Sequence, residues 1–251
     1  MSKLTPAQAP INSTADVTAH SQVRPGRPTR RERKSVQQQV AVAAALELAV
    51  AEGTTGLTMR RLAEELDVDP TALYRLFRDK DELLLAVYDR TIELGLDELG
   101  VMDEQEPWQD ALRRIADVVW TTYGRYPAIT ALTFARTSGG QAERRSIELL
   151  LSIFARSGLS REQTALYYRA FIDSALGLCG QAAALAILEP SVREKDDTTW
   201  ARVYTQLPRE SYPTARAHAN ELVDVSRRAI YDTVIEAVLA AAERAAASPT
   251  N

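Results

Sequence analysis

The 251-residue chain has one cysteine and two histidines, His20 and His218. One thiol forms no internal disulfide, which fits a reducing compartment; Cys179 is either a redox sensor or, as is commoner for a lone cysteine, a small buried hydrophobe. Two histidines supply no ligand cluster, so neither a metal nor a cofactor is expected. The longest stretch without a charged side chain, Ser174 to Leu188, has fifteen residues. A helix that crosses a bilayer needs about 20. The N-terminus lacks the apolar core of a secretory signal, so a cytoplasmic protein with no membrane partner is expected. There is no phosphate-cradling glycine loop, no Cys-His pairing and no metal-ligand spacing, and the carboxylates are scattered, so an enzyme is not expected. From Thr91 onward no segment alternates as a strand would and none repeats, which leaves helices.

What is present is a pair of short helical patterns with complete punctuation, between Leu57 and Lys80. Thr58 is placed as an N-cap, with Leu57 and Leu62 at the spacing of a hydrophobic staple. Leu62, Ala63 and Leu66 recur on one face of the helix that follows, while Arg60, Arg61, Glu64 and Glu65 fall mostly on the other. The pattern breaks at Asp67-Val68-Asp69. Asp69 followed by Pro70 is then an N-cap followed by the residue best suited to a first helical turn. Val68 and Leu73 are spaced as a second staple. Leu73, Leu76 and Phe77 form the buried stripe of the second helix, which leaves Thr71, Ala72, Tyr74 and Arg75 toward its start or outer surface. Asp79 and Glu82 are spaced as a capping box that opens a third helix through Leu83, Leu84, Val87 and Tyr88. By periodicity alone this stretch could be a helical hairpin of any all-α protein.

Position-specific residues favour a helix-turn-helix. GLTMRRLAEEL, PTALYRLF and the following K-x-x-L (Lys80 to Leu83) together resemble the DNA-binding domain of the tetracycline-repressor (TetR) family, over about Ser35 to Tyr88. Asp67 stands where that family commonly has glycine; aspartate is among the few residues that tolerate a left-handed backbone. The resemblance implies an all-α chain, with an N-terminal three-helix DNA-binding domain at 35–90 and a helical effector-binding and dimerisation domain at 91–251. It further implies a ligand-responsive transcriptional regulator, a repressor by family default, that binds a near-palindromic operator in double-stranded DNA as a homodimer and is released by a small organic effector. Arg60 is assigned to a guanine edge, because the family places an equivalent side chain there and arginine pairs bidentately with guanine. Pro70 opens the recognition helix, Thr71, Ala72 and Arg75 are base-side candidates, and Thr58, Tyr74 and Lys80 are candidate phosphate anchors.

Residues 1–34 are expected to be a disordered tail that ends in a basic arm. Arg24 to Lys34 (RPGRPTRRERK) carries six basic side chains and one acid, Glu32. It is either a solvated charge run or, through its R-P-G-R-P core, similar to an AT-hook, with Arg24 and Arg27 entering a minor groove. Pro25 and Pro28 are expected to keep the arm extended. The arm also raises a rival reading, a ligand-independent architectural protein for AT-rich DNA. Net charge is -4, unevenly placed: residues 1–90 hold thirteen basic and twelve acidic side chains, against seventeen and twenty-two in the remainder. An acidic second half facing away from DNA is compatible with that split.

In the second half, breaks at Tyr126-Pro127, Ser138-Gly139-Gly140, Ser157-Gly158 and Glu189-Pro190 delimit helices near Pro107–Arg125, Pro127–Arg136, Gly140–Arg156 and Ser160–Leu188. Further helices are expected at Thr198–Gln206, Pro213–Leu222 and Val225–Ala247, with a flexible loop at Pro190–Asp197. The longest helix offers close-approach surface at Ala175, Gly177, Gly180, Ala183 and Ala184, and the last carries a stripe of Ile230, Val234, Val238 and Ala241. Both exceed what one small domain easily buries, and the resemblance implies that they build a four-helix dimer interface. Trp120, Tyr123, Phe134, Arg136, Tyr168, Asp173, Trp200 and His218 are the candidates to border a pocket for an uncharged or weakly charged organic ligand, with Arg136 or His218 as a polar anchor.

Overall fold

A computed structural model describes residues 29–248. Their regular structure is entirely helical, with no strand among them. The first four helices, α1 (Arg30–Gly56), α2 (Met59–Glu65), α3 (Pro70–Leu76) and α4 (Lys80–Leu99), surround one core. Leu57, Leu62, Leu73, Phe77 and Leu83 in that core are all at most 2% exposed. Each such side chain contributes roughly 1.5–3 kcal/mol on burial.

One expectation fails at the N-terminus. Arg30 to Lys34 are not extended but form the first turns of α1. Thr29 accepts a hydrogen bond from the Glu32 N–H at 3.2 Å, and the Glu32 carboxylate accepts one from the Thr29 N–H at 2.6 Å. That reciprocal box caps the helix at its start, with Thr29 as N-cap and Arg30 as the first helical residue. The rest of the arm, with Arg24 and Arg27, lies outside the described residues. The α1 helix kinks at Gly53, whose φ of +68° suits glycine, before the chain turns into α2.

The remaining helices are α5 (Trp108–Arg125), α6 (Pro127–Thr133), α7 (Gln141–Ala155), α8 (Arg161–Ala186), α9 (Pro190–Arg202), α10 (Pro213–Ala217), α11 (Ala219–Asp224) and α12 (Arg227–Ala247), with a 3-10 turn at Tyr204–Gln206 between α9 and α10. The loop expected at Pro190–Asp197 is instead the first part of α9. Pro190 occupies the first helical turn, where its missing N–H costs nothing, and the Thr198 and Thr199 hydroxyls donate back to carbonyls of Glu194 and Lys195. The expected Pro213–Leu222 helix is interrupted at His218. On α12 the buried stripe is Tyr231, Ile235, Leu239 and Ala242, one residue over from the expected one. Val234, Val238 and Ala241 are half-buried and Ile230 is exposed, so α12 carries a second apolar stripe beside the first.

Two helices are shared between the halves. α4 sends Leu83, Leu84 and Val87 into the first core and Tyr88 into the second, which α5, α7, α8 and α12 build. From α6, Ala128 and Ile129 are buried in the first core. The ring of Phe134, just after α6, covers Gly180 of α8 so closely that a Cβ there would lie 2.3 Å from it. Halfway along α4, the Asp89 carboxylate caps α7. It accepts from the Ala142 N–H at 3.1 Å, the Glu143 N–H at 3.0 Å and the Ser138 hydroxyl at 3.0 Å. Gly140 is required at this junction, because a Cβ on it would stand 2.1 Å from the Asp89 Cγ.

Asp89→Ala strips three donors of their acceptor. It is expected to destabilise the protein by about 2 kcal/mol, the scale of a lost N-cap plus an unsatisfied buried donor. Gly140→Ala is expected to show a loss of similar direction through collision instead. Urea unfolding of both variants checks this, and wild-type midpoints for both would remove the cap from the stability account.

Candidate functional site

The turn between α2 and α3 is built as the sequence punctuation anticipates. Asp67 has a φ of +50° and is the one non-glycine residue with positive φ among those described. Around it the Val68 N–H donates to the Ala63 carbonyl at 3.0 Å and the Asp67 N–H to that of Glu64 at 3.3 Å, the paired bonds of a Schellman C-cap. Asp69 then caps α3, accepting from the Thr71 N–H at 2.8 Å. Leu73 and Phe77 anchor α3 inward, and the Gln38 side chain from α1 donates to the Leu76 carbonyl at 2.9 Å. Val68, expected to staple onto Leu73, is 41% exposed. The Schellman bond holds the turn in its place. The box expected between Asp79 and Glu82 is half formed: Asp79 accepts from the Glu82 N–H, but Glu82 reaches the Arg78 N–H rather than that of Asp79.

This scaffold leaves most of the expected contact residues exposed. Thr71, Tyr74 and Arg75 on α3 are exposed, Ala72 is half-buried beside them, and Pro70 and Lys80 are exposed at the starts of α3 and α4. Arg60 lies on the outer face of α2 with its side chain 87% exposed, tethered by Glu64 one turn on. Such an exposed pair is worth little in water and is readily exchanged for another partner. The half-buried Thr58 accepts from the Arg61 N–H at 3.1 Å, which leaves its own hydroxyl proton to donate. Arg78, which the sequence did not single out, adds a cation between Phe77 and Lys80, held to Asp79 at 3.0 Å.

Beyond the helix-turn-helix, the second core is hollow. A cavity of about 340 Å³ lies between α4, α5, α7, α8 and the link from α6 to α7. Tyr123, Phe134, Arg136, Tyr168 and Asp173 line it. Trp120, Trp200 and His218 do not. Trp120 packs against Tyr231 with centroids 4.8 Å apart, Trp200 stacks on Tyr204 in the exposed α9 region, and His218 sits exposed at the break between α10 and α11. Sequence reading missed Gly95, Thr122, Ser146 and Ile172, because each joins the wall only where four helices converge. The Tyr88 and Tyr123 rings meet edge to face, with hydroxyls 3.4 Å apart. Burial raises both phenol pKa values, so both stay neutral.

The charges at the cavity wall are already engaged. Arg136 makes a bidentate pair with Asp81 in the first turn of α4, at 3.0 and 2.9 Å. Hydrogen bonding from Arg136 in turn holds the Asp81 carboxyl below its usual range. Asp173 pairs with Arg169 at 2.8 Å, and Glu143 accepts from the Ser138 and Gly139 N–H groups. Cys179 is buried in the adjacent core, and burial pushes its thiol up to about 12, which keeps it protonated. Among the described residues no group of three His, Cys, Asp or Glu side chains is placed to hold a metal ion, and no single helix is long and apolar enough to cross a membrane.

Two family models match. Residues 41–87 match that of the bacterial regulatory proteins of the tetR family, and residues 102–239 match the tetracyclin repressor-like C-terminal domain. The chain is 31% identical over 134 residues to the HTH-type transcriptional repressor DrrR1 of Streptomyces coeruleorubidus, covering 53% of this chain and 49% of that one. It is 28% identical over 153 residues to the HTH-type transcriptional repressor Rv1353c of Mycobacterium tuberculosis, covering 59% and 58%. The matched part thus spans about half the length of these curated relatives. Among solved structures, ActR of Streptomyces coelicolor in complex with actinorhodin superposes with a TM-score of 0.73 at 20% identity, covering 84% of this chain and 98% of that one. The transcriptional regulator SCO7222 of the same organism superposes with a TM-score of 0.67 at 27% identity, covering 83% and 98%.

The carboxylates that cap α3 and α4 imply an acid limit. Hydrogen bonds from Thr71 hold Asp69 below its ordinary value of 3.8, and those from the Glu82 N–H and Arg78 do the same for Asp79. A depressed carboxyl contributes stability that is fully present above its unfolded value and is lost as pH falls through the folded one. The starts of α3 and α4 are therefore expected to fray below about pH 4, the unfolded carboxylate range, while neutral pH leaves them intact. Amide exchange at Thr71 and Glu82 between pH 5 and 2.5, corrected for intrinsic rates, reads this directly; unchanged protection would mean the caps contribute nothing.

Proposed function

The chain belongs to the tetR family of bacterial regulatory proteins, and on that premise we propose that it is a ligand-responsive transcriptional repressor. In this reading it binds a near-palindromic operator as a homodimer and leaves it when a small organic effector fills the cavity. The observation that carries the proposal is that one helix, α4, walls the cavity with Tyr88, Thr91, Ile92 and Gly95 while its first turn follows directly on the helix-turn-helix. A molecule that alters the wall of that cavity acts on the element from which the reader hangs. The ActR fold is solved with actinorhodin bound, which supports the capacity of such a helical bundle for an organic ligand.

Dimerisation is proposed through α8 and α12. They pack on each other through one stripe of each helix, and the second apolar stripe of α12 (Ile230, Val234, Val238 and Ala241), together with Leu166 and Ala184 of α8, remains for a second copy. Two copies are needed for selectivity, because α3 has seven residues and reads only a few base pairs. A two-fold dimer sets its readers in major grooves about 34 Å apart or somewhat more. Within each half-site Arg60 is assigned to a guanine edge, and Thr71, Ala72 and Arg75 to neighbouring bases. Thr58, Tyr74 and Lys80 are assigned to phosphates, where Thr58 retains a free proton and Lys80 adds its charge to the positive end of α4. Pro70 fixes the start of α3 that these contacts require.

The link between cavity and reader is proposed to run through two ties to α4, the Arg136–Asp81 pair near its start and the Asp89 cap of α7 at its middle. An effector releases DNA only to the extent that it binds one arrangement of these ties better than the other.

Quantitative footprinting on the DNA that flanks this gene tests the assignment. A protected near-palindrome is expected. Arg60→Ala is expected to relax preference at one base pair per half-site at a cost of about 1–3 kcal/mol, while Lys80→Ala weakens operator and random DNA alike and lowers the salt slope by about one. Equal losses on both DNAs for both variants would sink the division between reading and anchoring residues.

A further inference from the structure

The first buried residue of α1 is Ala41, so residues 30–40 run ahead of any core. At 1.5 Å per residue this overhang is about 16 Å long. It begins with Arg30, Arg31, Arg33 and Lys34, all exposed, against the single carboxylate of Glu32, which is turned back onto the Thr29 N–H. Among the described residues none of these four cations is in an ion pair. Arg30 and Lys34, four residues apart on one helix, repel each other. An anion brought to this segment therefore relieves a cost already present.

One contact orients the overhang. The Gln38 side chain donates to the carbonyl of Leu76 at 2.9 Å, which joins α1 to the last residue of the recognition helix α3. Helical periodicity puts Lys34, four residues earlier, and Arg31, seven earlier, on the face of Gln38, about 6 and 10 Å further along the axis. Arg33 is turned about 140° from that face. Ser35, next to Lys34, borders the same groove as Phe77 and Glu82, which lie just beyond α3. Arg31 and Lys34 thus stand on the side of α1 that faces the end of α3, where Arg75, Arg78 and Lys80 are also exposed.

The helical state of this segment limits what it can touch on DNA. An α-helix with its side chains is about 10–12 Å across, and the minor groove of B-DNA is about 6 Å wide. Residues 30–34 therefore cannot lie in that groove as an extended basic strand would. The phosphates that border a groove are open to them, and phosphate contacts set position and affinity without reading sequence.

We propose that Arg31 and Lys34 form a phosphate-binding ridge on the overhang of α1, which grips the DNA backbone beside the recognition helix and does not enter the minor groove. The proposal rests on the chain binding duplex DNA and assigns a second contact element to it, outside the helix-turn-helix. The ridge adds affinity equally on every sequence and leaves base preference to α2 and α3.

Salt-dependent binding of the full chain to two random duplexes, one AT-rich and one GC-rich, and to the footprinted fragment provides the test. The double variant Arg31→Gln, Lys34→Gln keeps good helix formers at exposed positions and removes both charges. It is expected to bind all three duplexes at least about tenfold more weakly at about 0.1 M salt, and to lower the slope of log affinity against log salt by about two. Arg33→Gln, on another face of the same turn, is expected to change that slope by less than about half a unit. An equal change for Arg33→Gln and for Lys34→Gln would show a diffuse charge effect and overturn the ridge. A loss confined to the AT-rich duplex would mean that the segment unwinds into the minor groove, which also overturns it. An unchanged slope in the double variant would remove the ridge and leave the helix-turn-helix assignment standing. Failure of the wild type to bind any of the duplexes would overturn both.

Discussion

The Asp89 carboxylate accepts two hydrogen bonds from the start of α7 and a third from the Ser138 hydroxyl in the link before it, and this contact ties α7 of the second core to the helix that also closes the first. Asp89 lies in the middle of α4, between the residues that close the reader's core and those that wall the cavity. The N–H groups it satisfies belong to a helix start, where orphan donors and the positive end of the dipole favour a carboxylate. Gly140 leaves room for that carboxylate to approach. α7 therefore cannot shift away from α4 without uncapping itself, which is the basis of the link proposed between cavity and helix-turn-helix. The Arg136–Asp81 pair adds a second point of attachment close to Lys80. Being exposed, it contributes less energy and more direction.

The reader was legible in the sequence because its structure is local. Caps, staples and the left-handed Asp67 are set by neighbours within a few residues, and those rules carry from chain to turn without tertiary information. Departures arose where a second local rule competed. Val68 was read as a staple but is held by its own N–H, and Arg30–Lys34 were read as an extended arm although Thr29 and Glu32 form a capping box. The α9 helix was obscured by its charged, unburied sequence, in which no apolar stripe marks a face.

The cavity was only half legible, for the opposite reason. Tyr123, Phe134, Arg136, Tyr168 and Asp173 were found because large aromatic and charged residues in a hydrophobic region attract notice. Trp120 and Trp200 attracted the same notice and turned out to pack against other rings, Tyr231 and Tyr204. Thr122 and Gly95 carry no signal in isolation. Only the convergence of α4 and α5, which sets the Thr122 side chain against Gly95, brings both to the cavity wall. On α12 the burial of Tyr231, Ile235, Leu239 and Ala242 likewise marks a stripe one residue away from the one that periodicity suggested, which leaves the suggested stripe for a different contact.

The central claim is that cavity and reader share one helix and therefore one equilibrium. The most direct measurement is the dissociation constant of a compound that occupies the cavity, taken with the free protein and again with protein saturated by the DNA flanking its gene. The account predicts that the two values differ by at least about fivefold, the lower end of typical coupling between linked sites. Equal values would contradict it, however tightly the compound and the DNA each bind.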